Sequence, residues 1–284
     1  GIPAYRLPKD AIIQDLRRLQ EEGIGIFTNK KVDEHFLTDH DAPYAAFIVA
    51  CGHGRGQKMG IPGENEADVI EGLDFLRNIR EEKPVSCDGT TAVIGGGNTA
   101  IDVARSVIRL EGKAIIYYRR RRQDMPAFEE EIQMAMEEGA TIVELVAPAE
   151  IKRDKNQMLL SLQKMAVSGE ESGRARVVPD GTNAEMVKVD HIIRAIGAGP
   201  EESWMNPPDE GQHVQWLSHS CIIHGEGRKP VVYAGDLANE TKSVTHAIAS
   251  GKQAAIALDV LFREGFASVS KKLDNCSIGN GQAH

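Results

Sequence analysis

The residues best suited to chemistry lie between Thr91 and Ala127, where the glycine triplet Gly95-Gly96-Gly97 is followed downstream by four consecutive arginines, Arg119 to Arg122. Glycine brings no reacting group. It lets backbone N–H groups come close to an anion, while arginine presents a planar, permanently charged fork that matches phosphate oxygens in pairs. Such a set suits the holding of a phosphorylated ligand rather than acid–base or nucleophilic catalysis. The elements that must position it are legible too. An apolar run, Ala92 to Ile94, enters the triplet, a helix opens at Asn98 and Thr99, and a second apolar run, Ala114 to Tyr118, delivers the arginines. That order is a β-α-β unit.

Within it, Gly95 permits the tight turn, Gly97 clears the approach to a pyrophosphate, and Ala100 stands where a small residue lets the helix lie close to the strand. The positive end of the helix dipole favours the phosphates. A fold of this kind tuned for NAD usually carries an Asp or Glu about 20 residues on, against the ribose 2′-hydroxyl. Here no carboxylate follows the second run until Asp124, and the strand ends in arginines. Guanidinium groups there suit the 2′-phosphate, so the expectation is NADPH rather than NADH. Taken singly, a glycine triplet also forms ordinary turns and an arginine run also forms solvated surface. Their conjunction at this spacing carries the reading.

Composition bounds the rest. The chain has 284 residues, 41% hydrophobic and 26% charged, which is ordinary for a globular protein long enough for two α/β domains. A net charge of −9, with one notable basic cluster, argues against general nucleic-acid binding. No apolar run reaches the roughly 18 residues of a membrane span, and a signal peptide is not expected. Cys51, Cys87, Cys221 and Cys276 lie far apart with no CxxC, so no metal or cluster ligand set and no local redox disulfide is expected. The reducing cytoplasm is the expected compartment. No catalytic residue is assigned, and the nine histidines read as surface or packing residues. Oligomeric state is not legible.

Along the chain, residues 8–22 have helical periodicity, with Ile12, Leu16 and Leu19 on one face. Strands are expected at Gly25–Thr28 and Ala45–Ala50, a linker over Gly52–Glu64, and a helix over Ala67–Arg80. Pro126 precedes a helix with Phe128, Ile132 and Ala135 inward and the acidic run Glu129 to Glu131 as its wet side. Several strands fill Thr141 to Lys188, with a hairpin around Ser168 to Arg176. Two apolar strands then close on Ala-x-Gly, one ending at Gly52 and the other at Gly197, just before Pro200. Two such exits imply two dinucleotide folds, although only one glycine-rich entrance is present. Near the carboxyl end, Gly235-Asp236 follows a strand, Val231 to Ala234, and precedes a long helix rich in small residues from about Ser243 to Phe262.

The chain resembles the NADPH- and FAD-dependent oxidoreductases typified by the small (β) subunit of bacterial glutamate synthase, over essentially its whole length. The match rests on GIPAYRLPK at 1–9, IPGE at 61–64, VIGGGNTAIDVAR at 93–105, YRRRRQDMPA at 118–127, AIG at 195–197, AGD at 234–236 and AIASGKQAA at 247–255. The resemblance implies an α/β fold in which a Rossmann-like NAD(P)-binding domain (64–198) is inserted into the remainder of an FAD-binding domain (1–63 and 199–284). It implies NADPH on Gly95, Gly96, Gly97, Asn98, Thr99, Arg119, Arg120, Ile196 and Gly197, and FAD near Gly235, Asp236, Ser243 and Val244. Hydride would pass from NADPH to FAD, and electrons would go on to iron–sulfur centres of a glutamate-synthase-like partner subunit.

Two departures qualify this. The family's FAD glycine fingerprint lies upstream of the segment with which this chain begins, so an incomplete flavin site and a chain inactive alone are expected. Glu240-Thr241 also stand where the family has Gly-Pro. The alternative is an NADP-binding module or scaffold subunit without flavin turnover of its own.

Overall fold

A computed structural model describes residues 1–273 except 66–67, 156, 172–173 and 226. The chain divides into two compact units, Gly1–Ile26 with Gly56–Ala198 and Phe27–Arg55 with Gly199–His284.

The first unit is built on a five-stranded sheet in the order Val69–Glu71, His191–Arg194, Thr90–Ile94, Lys113–Tyr118, Thr141–Glu144. Every neighbouring pair is parallel. Such a sheet is covered on both faces, which is why its strands read as unbroken apolar runs rather than alternating ones. Val93 and Ile116 face a core shared with Phe75, Ile101 and Ile132 of the helices Gly72–Arg80, Asn98–Arg109 and Glu129–Glu137. Ala92, Ile94 and Tyr117 face the opposite way, against Leu160 and Val189. Those last two belong to antiparallel strands, Val146–Asp154, Gln157–Glu171 and Glu185–Val189, with Arg174–Pro179 pairing the far end of the long second strand. This is the hairpin expected around Ser168 to Arg176; its turn lies outside the described residues.

In the second unit Phe47–Val49 runs parallel to Val231–Tyr233, and Cys221–Ile223 and Val214–Trp216 follow antiparallel. The helix Val244–Glu264 packs Ala254, Ala257 and Leu261 onto Ile222 and Val232. Both Ala-x-Gly exits follow parallel strands, as the duplicated pattern requires. Among the described residues, Phe47–Val49 pairs on one side only.

Several local expectations are corrected. Residues 25–28 form no strand. The helix expected from Ala67 starts at Gly72, because Val69–Glu71 pairs into the parallel sheet and the Glu71 side chain caps the helix by accepting the Asp74 N–H at 2.9 Å; Ala67 itself lies outside the described residues. The amphipathic helix Lys9–Glu21 buries none of its residues, and Leu16 and Leu19 are exposed. Phe128 is likewise exposed, while Ile132 and Ala135 are buried as expected.

The acidic run is not simply a wet face. Glu131 pairs with Arg105 and with Arg6, and Arg105, only 7% exposed, also grips Glu138. Asp102 completes this cluster with Arg6, and burial raises its carboxyl above the ordinary value despite the arginine beside it. Finally, the stretch expected as a linker contains a packed loop. Buried Glu64 accepts the N–H groups of Met59 (3.0 Å) and Gly60 (2.8 Å), and Gln57 N–H donates to Gly197 O at 2.9 Å.

Candidate nucleotide site

At the carboxyl ends of the central parallel strands the first unit holds a cavity of about 520 Å³, within the usual range for a small-molecule site. Open α/β sheets bind ligands at this edge. Gly95, Gly96, Gly97, Thr99, Arg119, Arg120, Ile196 and Gly197 all line it. Eight residues chosen from separate stretches of sequence are thus brought to one place.

Each glycine is required for a different reason. Gly95 has φ +140°, and a Cβ there would lie 2.2 Å from Ala195 O, so the turn is pressed against the sheet exit. A Cβ on Gly96 would strike the Tyr118 ring at 2.5 Å. A Cβ on Gly97 would meet nothing nearer than Pro126 Cγ at 3.9 Å, so this glycine keeps space open rather than relieving a clash. Gly97 is also the N-cap of the helix Asn98–Arg109, and no side chain caps it. The first N–H groups of that helix therefore have no capping side chain where the space is open. Fully buried Ala100 allows the close helix–strand packing.

Asn98 does not line the cavity. Its Oδ1 accepts the Phe128 N–H at 3.0 Å, while Ala127 N–H donates to Gly96 O at 3.3 Å. The Met125-Pro126-Ala127 loop is thereby tied back onto the glycine turn. The two sequence motifs are thus physically one structure, joined through Asn98.

The four arginines are sorted by their partners. Arg122 pairs with Glu129 at 3.2 Å, and Arg121 forks onto Asp124 at 2.7 and 2.9 Å. Arg120 gives only its Nε, to Ala175 O at 2.7 Å, and Arg119 makes no hydrogen bond or ion pair among the described residues. Only Arg119 and Arg120 face the cavity, and they keep their charge uncompensated. A dianionic phosphate fits such a pair. The residues present therefore fit a pyridine dinucleotide carrying a 2′-phosphate: a helix start with no capping side chain, a glycine that leaves room, and two guanidiniums with no carboxylate partner among the described residues.

Sequence reasoning missed several wall residues. Gln57 and Met59 come from the loop read as a linker, and Tyr117, Val146 and Pro148 close the other side. The IPGE motif held one clue, since buried Glu64 shapes that loop and lies 3.7 Å from Arg194.

The remaining candidates, Gly235, Asp236, Ser243 and Val244, lie in the second unit. Gly235 has φ +66° and donates its N–H to Ser250 Oγ at 2.8 Å. Ser243 caps the long helix by accepting the His246 N–H, and Val244 is exposed. Among the described residues, no His, Cys, Asp and Glu side chains form a group that could hold a metal ion, and no helix is long and apolar enough to cross a membrane.

The parallel sheet, glycine turn and arginine pair define a pyridine-nucleotide-binding α/β protein. The sequence profile of the pyridine nucleotide-disulphide oxidoreductases matches residues 11–251, and the chain belongs to that family of NAD(P)H-dependent oxidoreductases. Over 96% of its length it is 30% identical to the beta subunit of the NADP(+)-dependent formate dehydrogenase of Moorella thermoacetica, spanning 40% of that protein. Over 72% of its length it is 32% identical to the NADPH-Fe(3+) oxidoreductase subunit beta of Geobacter sulfurreducens, spanning 32% of it. It is also 30% identical, over 90% of its length, to a putative glutamate synthase [NADPH] small chain of Cereibacter sphaeroides, spanning 65% of it. The chain thus spans between about a third and two thirds of these relatives. Among solved structures, FprA of Mycobacterium tuberculosis in complex with NADPH superposes with a TM-score of 0.58 at 17% identity, covering 82% of this chain and 66% of that one. A variant of the same protein gives 0.67 at 16% identity, covering 97% and 76%. These likenesses establish the fold.

Proposed function

We propose that the first unit binds NADPH, with the pyrophosphate over Gly95–Gly97 and the 2′-phosphate between Arg119 and Arg120. On this reading the chain belongs to an electron-transfer subunit that delivers reducing equivalents from NADPH through FAD to iron–sulfur centres of a partner. The observation that carries it is the convergence, on one cavity, of an uncapped helix start and the two arginines of the run that keep their charge. In that site the backbone at Gly97 and the N–H groups after it orient the diphosphate, and the two guanidiniums select the phosphorylated ribose. Ile196, Gly197 and Met59 form the wall on the sheet-exit side. A flavin, when bound, supplies the acceptance of a hydride and the release of single electrons, so no acid–base side chain is required of this chain.

The NADPH-linked names of the relatives support the reading. For the flavin, Gly235-Asp236 and the helix after Ser243 are the groups this chain would contribute, within the bounds 1–63 and 199–284. On this reading these groups make only part of a flavin site. Flavin absorbance at about 450 nm in the purified chain would show instead that they suffice.

The direct test is titration of NADPH and NADH into Arg119→Ala and Arg120→Ala. Each charge-assisted contact contributes roughly 1.5–3 kcal/mol, so NADPH binding should weaken at least about tenfold while NADH binding stays nearly constant. Equal losses for both nucleotides would refute the assignment.

A further inference from the structure

We infer that Asp124 is a positioning residue for recognition of the 2′-phosphate, neutralising Arg121 and, through Ala175, orienting Arg120, so that with Arg122 paired to Glu129 two arginines of the run are left for the site; this rests on the nucleotide reading above. Asp124 is 6% exposed, and its carboxylate is fully engaged. Oδ2 accepts from Arg121 Nε and Oδ1 from Arg121 Nη2, and Oδ1 also accepts the Ala175 N–H at 3.1 Å. Ala175, buried in the strand Arg174–Pro179, then offers its carbonyl to Arg120 Nε at 2.7 Å. One residue of that strand is therefore held by the acid on one side and holds the arginine on the other. The backbone carbonyl of Asp124 meanwhile accepts the Tyr118 hydroxyl at 2.8 Å, and the Tyr118 ring lies over Gly96 in the cavity wall.

A carboxylate so near a phosphate site would ordinarily repel the ligand. Here its charge is spent on Arg121, which Glu170 also approaches at 3.3 Å. The cationic charge left facing the cavity is that of Arg119 and Arg120. Arg120 is fixed by a neutral acceptor, which orients a guanidinium without cancelling its charge. Removing the carboxylate would free Arg121 to swing, leave the buried Ala175 N–H without an acceptor, and loosen the strand that orients Arg120.

The test compares 2′,5′-ADP with 5′-AMP as probes, titrated into the chain and its variants, because the two differ only in the phosphate at issue. Asp124→Ala should weaken 2′,5′-ADP about tenfold and leave 5′-AMP within about twofold. Asp124→Asn keeps an oxygen for the Ala175 N–H but cannot neutralise Arg121; it should lower the same ratio about threefold, and it serves if the Ala variant fails to fold. Equal losses for both probes, the mark of a merely structural ion pair, or an unchanged ratio in the Asn variant would overturn the inference. Arg120→Ala separates the two levels. If it leaves the ratio intact, the nucleotide reading fails and this inference with it; if it lowers the ratio while the Asp124 variants do not, only the positioning role fails.

Discussion

Two glycine turns in this chain follow a parallel strand and lead toward a helix, yet the helices they lead to begin in opposite ways. After Thr90–Ile94, the helix beginning at Asn98 has glycine as its N-cap and no capping side chain, and it opens onto a cavity. After Val231–Tyr233, Gly235 gives its N–H to Ser250, and Ser243 caps the following helix. Buried or capped donors are satisfied by the fold, whereas bare ones await something else. Gly95 itself donates its N–H to Tyr117 O at 3.2 Å, so on the proposed reading it is the uncapped helix start after it that is left for an external anion, whereas the second helix start is capped by its own chain.

The glycines of the first turn test this contrast most strongly. At Gly95 a methyl would lie 2.2 Å from Ala195 O at φ +140°; Gly95→Ala should cost about 3 kcal/mol or more in urea unfolding. At Gly97 the nearest atom is 3.9 Å away and φ is −89°. Gly97→Ala should therefore leave stability within about 0.5 kcal/mol yet weaken NADPH about tenfold, since on the proposed reading its methyl enters the space the diphosphate takes. Unimpaired binding in that variant would break the comparison. A smaller effect belongs to the second turn: Ser243→Ala removes a helix cap, costing about 1 kcal/mol with no change in NADPH affinity.

The smallest is a pH effect. The hydrogen bond from Arg121, aided by the Ala175 N–H, holds the Asp124 carboxyl down at about 2 from its usual 3.8. Because the folded value is the lower one, the stabilisation is present above about pH 4 and is lost as pH falls toward 2. Unfolding titrations should show this loss in the wild type and not in Asp124→Asn.

Much of the first unit was legible from sequence because local rules govern it. Strand, triplet, helix and second strand are continuous in the chain, and each obeys a short-range steric demand. The boundaries 64–198 for the inserted domain remain our proposal; the compact unit observed also includes Gly1–Ile26 and Gly56–Gly63. The strand expected at Gly25–Thr28 does not form, because an isolated apolar alternation does not supply a pairing partner. In the acidic run Glu129 and Glu130 are exposed as expected, but Glu131 is held by Arg6 and Arg105, counter-charges distant in sequence.

The amino-acid order alone determined that a glycine turn joins strand and helix, that arginines end the next strand, and that two sheet exits occur. Only tertiary structure decided which arginines keep their charge. That choice depends on Asp124 and Glu129, while the loop carrying Gln57 and Met59, which reads as mere punctuation, supplies a wall of the same cavity. The reason is physical: side-chain charge and backbone spacing are properties of the chain, whereas neutralisation requires a partner within about 3 Å, and folding alone chooses that partner.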